Sequence, residues 1–421
     1  MTTEQNEIRD IITRYFNILY KDDLIDDNST CLNNNSGFQD NNIPSQDRSE
    51  MSRPLNSAEI EDAIKYSPKN KSPGEDGLSI EFYIKFWNFI KEDIVEIMNS
   101  LLQVPTIPEK LCRGVLVLIP KTANPAKIED YRPITLLNSD YKIFMRCMKT
   151  RIIPHMEKII SPIQQCAVTG RNIFNAASAI RDVISSSKHY KQSRLLVSVD
   201  LDHAFDRIRH SFISSTLIKK GINQEYVQCI QRILSAGTTR ILINGHLSEP
   251  IKIERSVRQG CPMSMHLFVI AIDPLLTELN KVLNRFVSPC NIIRAYADDI
   301  TFTASNLNQL QEIKQVLDTQ LTKSGGKLNE KKTKGMIIGP TYNLETPIWI
   351  TKTHNVKIVG VLYHNNIAET IRENWNLVTN SIRRVLAENK QRQFNLLQRA
   401  IFINMFALSK AYLCQNSLVK N

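Results

Sequence analysis

Apolar positions recur with a helical period near the start of the chain. In residues 5–20 (QNEIRDIITRYFNILY), Ile8, Ile11, Ile12, Tyr15, Phe16 and Leu19 fall on one helical face. Asn56 followed three residues later by Glu59 resembles a capping box and predicts a helix running to about Tyr66. The stretch 69–77 (KNKSPGEDG) holds several breakers and reads as a loop, and a further helix is expected over 79–102, ended before Pro105. Apolar runs then suggest strands over 113–120 (RGVLVLIP) and 194–200 (RLLVSVD), the second followed by a helix over 201–220. Residues 240–244 and 251–255 flank a turn at Gly245 and suggest a hairpin. A helix over 262–282 precedes a second hairpin, 292–296 with 300–304, whose bend carries Asp298 and Asp299. A helix over 306–324, short strands near 335–339 and 356–362, and helices over about 366–388 and 393–413 complete the pattern. In the last of these, Leu397, Ile401, Met405, Leu408 and Tyr412 share a face. Strands and helices are interspersed without a regular βαβ period or an internal repeat, which favours the α+β class.

Composition narrows this picture. The 421 residues suffice for two or three packed units, and a 42% hydrophobic share marks most of the chain as globular. Residues 28–50 are the exception: rich in Asn, Ser, Asp and Gln, they read as a flexible linker. No apolar run approaches the ~18 residues needed to cross a bilayer, and the polar start has no signal-peptide core. The eight cysteines show no C-x-x-C spacing, so neither a zinc site nor a disulfide framework is expected. Together these point to an intracellular protein, not secreted, with reduced thiols. The net charge of +11 suits a polyanionic partner, either nucleic acid or an acidic membrane surface. Its distribution is uneven. Residues 1–62 carry 5 Lys/Arg against 13 Asp/Glu, a net −8, so the remainder carries +19, of which +6 lies in residues 380–421.

The local pattern richest in chemistry is Tyr296-Ala297-Asp298-Asp299 between two apolar strands. Adjacent carboxylates at a tight bend repel one another, and a divalent cation between them relieves the repulsion. Hard oxygen ligands suit Mg²⁺. Asp200 ends another apolar strand. If that strand pairs beside the hairpin, Asp200 and Asp298 converge on one sheet edge and can hold two metals ~3.5–4 Å apart, as nucleotidyl transfer requires. Taken alone, an Asp-Asp pair is an ordinary polar turn. Asp202 and Asp206 are read as structural.

The order of motifs resembles the reverse transcriptase of non-LTR (LINE-type) retrotransposons. Lys71-Ser-Pro-Gly-Glu-Asp-Gly-Leu78 with Glu81-Phe-Tyr83 and Phe86-Trp87 is similar to the family's first block. Leu118-Ile-Pro-Lys121 with Tyr131-Arg-Pro-Ile134 and Leu136-Leu-Asn138 resembles its fingers motif, and Gln164 through Gly170-Arg171 the block after it. Asp200 to Asp206 with His210 resembles motif A, Arg258-Gln-Gly-Cys-Pro262 motif B, Tyr296-Ala-Asp-Asp299 motif C, Leu328-Asn329 with Lys332-Thr333 motif D, and Lys357 to Gly360 a weakened motif E. The likeness runs from about residue 8 to 415.

The resemblance implies a right-hand polymerase fold. Its domains would be an acidic extension over 1–62, fingers over 63–190, a palm over 191–363 and a truncated helical thumb over 364–421, with the reverse transcriptase domain at about 112–363. It implies an RNA-directed DNA polymerase that extends a DNA primer on an RNA template with dNTPs and Mg²⁺ or Mn²⁺. Asp200, Asp298 and Asp299 would be the metal ligands, helped by the Leu201 carbonyl. Phe205 would be the steric gate against a ribose 2′-hydroxyl, with core packing as the alternative. Lys121 and Arg132 would meet the incoming triphosphate, or form a surface salt bridge. Gln259 and Gly260 would lie under the nascent base pair. Lys332 would protonate the leaving pyrophosphate, or be a solvated lysine. His203 stands where Lys is usual, Ser256 replaces a Gly, Met265 a Pro, Cys166-Ala167 a Gly-Phe and Ile358-Val359 a Tyr-Leu; none removes a metal ligand. The stretch before Lys71 is too short for the endonuclease that family polyproteins carry, so a polymerase core alone is expected. Competing readings are a catalytically impaired nucleic-acid-binding remnant and an intron-maturase or telomerase-like polymerase. In all of them the charge is for nucleic acid rather than a membrane, in the nucleus or the cytoplasm.

Overall fold

A computed structural model describes residues 5–22, 43–285, 288–340 and 344–418. In chain order the strands are β1 (Arg113–Pro120), β2 (Tyr131–Leu137), β3 (Arg194–Val199), β4 (Thr238–Ile243), β5 (His246–Leu247), β6 (Ile251–Lys252), β7 (Ile293–Tyr296), β8 (Asp299–Ala304), β9 (Lys334–Ile338), β10 (Thr351–Lys352), β11 (Asn355–Ile358) and β12 (Val361–His364). Helices are interspersed with them, as the α+β reading expects. The chain divides into two compact units.

The first unit gathers residues up to 160, 203–274 and 322–327. Its sheet has the order β2–β1–β4–β5, with β6 also on β4. β1 runs antiparallel to β2 from Gly114↔Leu137 to Pro120↔Tyr131 and parallel to β4 from Arg113↔Thr238. The first helix, Gln5–Tyr20, lays Phe16, Leu19 and Tyr20 against Leu116, Ile241, Ile243, Ile251 and Ile253. Ile8, Ile12 and Tyr15 border that core, but Ile11 does not: with Ile18, seven residues on, it lies on an exposed flank of the helix. The capping box is present, since Asn56 Oδ1 accepts the Glu59 N–H and the Glu59 carboxylate accepts the Asn56 N–H. The helices Ser57–Lys65 and Ile80–Gln103 follow the expected spans.

Three expectations change in this unit. Within the linker expected over 28–50, residues 28–42 lie outside the described residues, whereas Ser45–Ser52 is helical. Buried Ile43 and Met51 anchor that helix, and the buried Arg151 guanidinium donates to the carbonyls of Met51 (3.1 Å), Arg53 (2.6 Å) and Pro54 (3.1 Å). The helix expected over 201–220 is broken. His203 takes a left-handed φ of 48°, a short helix covers Ala204–Arg207, extended backbone follows, and helix resumes at His210–Lys219. An apolar period cannot reveal a residue at positive φ. The hairpin at Gly245 forms with Asn244 and Gly245 both at positive φ, the pattern of a two-residue primed turn. The returning strand starts at once as β5, and β6 pairs separately with the far end of β4.

The second unit gathers residues 161–202, 275–321 and those from 328 on. Its sheet has the order β10–β9–β3–β8–β7. β3 lies between β8 and β9, antiparallel to both, with Val199 opposite Ile300 and Leu195 opposite Ile337. The helix Ile173–His189 covers it with Ala177, Ile180, Val183 and Ile184, packed against Leu196, Met336 and Ile338. The strand expected near 356–362 is the two-stranded ladder β11–β12, folded at Val359 and Gly360, both at positive φ. The helix expected over 393–413 is Leu396–Phe402, a wider π segment at Ile403–Leu408, and Ser409–Leu418. Its stripe of Leu397, Ile401, Met405, Leu408 and Tyr412 is exposed, while Ala407, Cys414 and Leu418 face the interior.

Candidate active site

β7 and β8 pair tightly down to Tyr296↔Asp299, which leaves Ala297 and Asp298 as the two turn residues. Ala297 is buried and sits at φ 54°, a conformation that costs a non-glycine residue about 1–2 kcal/mol. One side chain offsets it. Gln164 is fully buried, donates from Nε2 to the Ala297 carbonyl (3.2 Å) and accepts the Ala297 N–H on Oε1 (2.9 Å). The segment around Gln164 is itself laddered to β7, with Gln165 N–H on the Ala295 carbonyl (2.8 Å) and Ala295 N–H on the Ile163 carbonyl (3.1 Å). Arg171 donates to the Gln164 and Ser161 carbonyls and closes the frame.

Asp200 follows Val199, and Val199 faces Ile300. The antiparallel register therefore puts Asp200 beside Asp299, which precedes Ile300. The Asp200 backbone is fastened on its other side. Its N–H donates to Thr333 Oγ1 (3.2 Å), its carbonyl accepts the Asn329 N–H (2.9 Å), and Leu201 bridges Leu328. The same loop carries Lys332, whose N–H donates to Asn329 and whose side chain is exposed. The electrostatics match this convergence. The Asp299 carboxyl is reached by solvent yet pushed up to about 6, first by its weakly solvated surroundings, then by the negative charges of Asp298 and Asp200.

This donor set fits a divalent cation. Three carboxylates and a backbone carbonyl are hard oxygen ligands, and their mutual repulsion is what a cation would relieve. Among the described residues no three His, Cys, Asp or Glu side chains enclose an ion by themselves.

The other named residues belong to the first unit. Phe205 stacks on Phe268 with ring centroids 4.3 Å apart and planes at 22°, and its carbonyl accepts the Val257 N–H (2.9 Å). The Gln259 carbonyl accepts the Thr135 N–H (2.7 Å). Gly260 is at φ 133°, and a Cβ there would lie 2.2 Å from the Thr135 carbonyl oxygen, so only glycine fits. Buried Arg258 holds this loop from beneath: its guanidinium donates to the Cys112 carbonyl (2.5 Å) and lies 4.6 Å from the Tyr141 ring centroid. Thr135 is on β2, so the β1–β2 hairpin is tied to residues 259–260. At the far end of that hairpin Lys121 donates to the Glu129 carbonyl (2.8 Å), and Arg132, opposite Ile119, is exposed. Neither cation is held in an ion pair among the described residues. Sequence reasoning missed the Gln164 clamp and the Gly260–Thr135 contact; the second has a signal, a glycine next to a polar residue in a loop.

Strand ends that bring carboxylates together on an antiparallel sheet are an arrangement suited to nucleotidyl transfer. The chain belongs to the reverse transcriptase (RNA-dependent DNA polymerase) family, whose profile matches residues 119–363. The relatives place it with non-LTR, LINE-type retroelements. The transposon TX1 uncharacterized 149 kDa protein of Xenopus laevis is 31% identical over 293 residues, covering 69% of this chain and 22% of that protein. The retrovirus-related Pol polyprotein from type-2 retrotransposable element R2DM of Drosophila melanogaster is 26% identical, covering 62% and 24%. The RNA-directed DNA polymerase from mobile element jockey of Drosophila melanogaster is 25% identical, covering 64% and 30%. The chain thus spans less than a third of the length of each of these relatives. A solved structure of telomerase from Candida albicans is similar at 11% identity with a TM-score of 0.47, covering 79% of this chain and 63% of that one. Reverse transcriptases as a family use divalent metal ions, and no helix among the described residues is long and apolar enough to cross a membrane.

Proposed function

We propose that this chain is an RNA-directed DNA polymerase that extends a DNA 3′-hydroxyl on an RNA template with dNTPs. The observation that carries the reading is the meeting of Asp200 with Asp298 and Asp299 at one edge of the sheet, where Asp299 feels the charge of the other two. Asp200, Asp298 and Asp299, with the Leu201 carbonyl, are the ligands assigned to Mg²⁺ or Mn²⁺. Bound there, such ions neutralise the triphosphate and favour the deprotonated primer hydroxyl. The protein's own groups do the rest. Lys121 and Arg132 take the triphosphate oxygens, Arg132 through a two-pronged donor. Gln259 and Gly260 offer close backbone approach to the nascent pair. Phe205 closes the space a 2′-hydroxyl needs, and Lys332 gives its proton to the departing pyrophosphate.

In this reading residues 63–190 act as fingers, 191–363 as palm and 364–421 as thumb, whose net charge grips template–primer phosphates. The work is intracellular, in the nucleus or the cytoplasm. The test is direct. The purified chain is given poly(rA)/oligo(dT), dTTP and Mg²⁺ beside its Asp298→Ala variant. Extension is expected from the parent chain and a loss of about a thousandfold from the variant. Equal background from both proteins, with duplex binding retained, sinks the enzyme reading.

A further inference from the structure

His203 opens the turn that carries Phe205. It has φ 48° and ψ 47°, and its carbonyl accepts the N–H groups of both Asp206 (2.9 Å) and Arg207 (3.0 Å). The whole Ala204–Arg207 turn is therefore built on a left-handed residue that is not glycine. Left to itself a histidine leaves that conformation, at a gain of about 1–2 kcal/mol. Its side chain is held in place. The Tyr15 hydroxyl lies 3.0 Å from His203 Nε2, the two rings meet edge to face, and Asp206 Oδ2 lies 3.8 Å from Nδ1.

Tyr15 belongs to the first helix, which lies before the residues matched by the family profile. That helix is fastened independently of Tyr15. Its last carbonyls are capped by residues 254 and 255: both backbone N–H groups donate to the Tyr20 carbonyl (3.1 and 3.2 Å), and Arg255 Nε donates to Leu19 (2.8 Å). Arg209 Nε donates to Asp22 just beyond the helix (2.9 Å). The helix also buries Phe16, Leu19 and Tyr20. Such a body can serve as a fixed support from which one side chain reaches the turn.

We infer that the first helix sets sugar selection: Tyr15, by holding His203 in its left-handed conformation, fixes the turn that aims Phe205. This rests on Phe205 being the gate. The Phe268 stack holds the ring and Val257 holds the Phe205 carbonyl, while Tyr15 acts on the turn's backbone conformation. Tyr15 and His203 are positioning residues, acting through Phe205.

The test compares kcat/KM for dTTP and rUTP on poly(rA)/oligo(dT). Tyr15→Phe is expected to lower the dTTP-over-rUTP ratio about fivefold, the weight of one hydrogen bond, with kcat for dTTP held within about twofold. Phe205→Val lowers the ratio further. Ile12→Ala, which thins the same helix's packing without touching His203, lowers Tm and leaves the ratio alone. His203→Gly supplies the conformation with no strain, so adding Tyr15→Phe to it changes nothing. A silent Phe205→Val removes the gate, and the inference with it. An effective Phe205→Val beside a silent Tyr15→Phe overturns the inference alone, as does a Tyr15→Phe effect of equal size in the His203→Gly background.

Discussion

Ala297 and His203 adopt nearly the same left-handed conformation, at φ 54° and 48°, each just ahead of side chains assigned to chemistry. They are held by opposite means. Ala297 has no functional side chain, so its own N–H and carbonyl are seized by one buried residue, Gln164. His203 is held through its ring, and the turn after it through Val257, Phe268 and the extended pairing of Ile208 with Ser256. The first arrangement concentrates the load on a single side chain. The second spreads it over several elements of the first unit. Concentration gives rigidity at the Asp298–Asp299 turn and fragility to one substitution. Distribution gives tolerance, and lets a remote helix tune one turn without dismantling it.

Breaking the distributed side takes a backbone clash rather than a lost side chain. Gly260→Ala meets the Thr135 carbonyl at 2.2 Å and demands φ 133° of alanine. It is expected to destabilise the chain by about 3 kcal/mol and to cut kcat/KM for dNTP more than about a hundredfold. Thermal melting and primer extension read both. Wild-type values in both assays would show that the β2 contact does not shape this loop.

Gln164→Ala is the matching blow to the concentrated side. It removes the Gln164 partners of the buried Ala297 N–H and carbonyl, at about 1–3 kcal/mol each. The turn then relaxes and Asp298 moves. Extension is expected to fall about thirtyfold, mostly in kcat. Gln164→Glu sharpens the point: it keeps an acceptor for the N–H but sets another negative charge near three carboxylates, and should be the worse variant. An alanine variant with unchanged kcat refutes the single-clamp account.

These contacts differ in how far the chain's pattern exposes them. The bounds of β1, β7, β8 and the Asn56 cap were legible because each is local: an apolar run, a tight bend, a residue pair three apart. The placing of Asp200 and Asp298 was legible because one follows an apolar strand and the other sits at the bend between two. The clamp made by Gln164 was not, since one glutamine in SPIQQCAV has no period, and its partner lies 133 residues on. Nor was the break at His203, a residue at positive φ whose ring meets Tyr15 from 188 residues away. Turn residues other than glycine that owe their conformation to distant partners leave no mark in their own neighbourhood.

Acid offers the mildest way to separate the two regions. His210 is buried, its Nε2 lies 2.9 Å from the Ser256 carbonyl, and its pKa is pushed down to about 4, first by burial and also by the nearby Arg258 charge. The folded value is below the unfolded one, so the neutral ring contributes stability that is complete above pH 6.5. That stability is lost as pH falls from about 6.5 toward 4, because the unfolded chain takes up the proton and the folded one does not. Between pH 7 and 5 the loss is about 2 kcal/mol from this group. Its weight falls on Ser256, which pairs with Ile208 at the end of the Phe205 turn, and not on the Gln164 clamp. Urea unfolding at the two pH values is expected to show the difference in the parent chain and to lose about that much of it in His210→Gln. An undiminished pH slope in the variant would place the acid sensitivity elsewhere, and the distributed region would then be no softer to acid than the carboxylate turn.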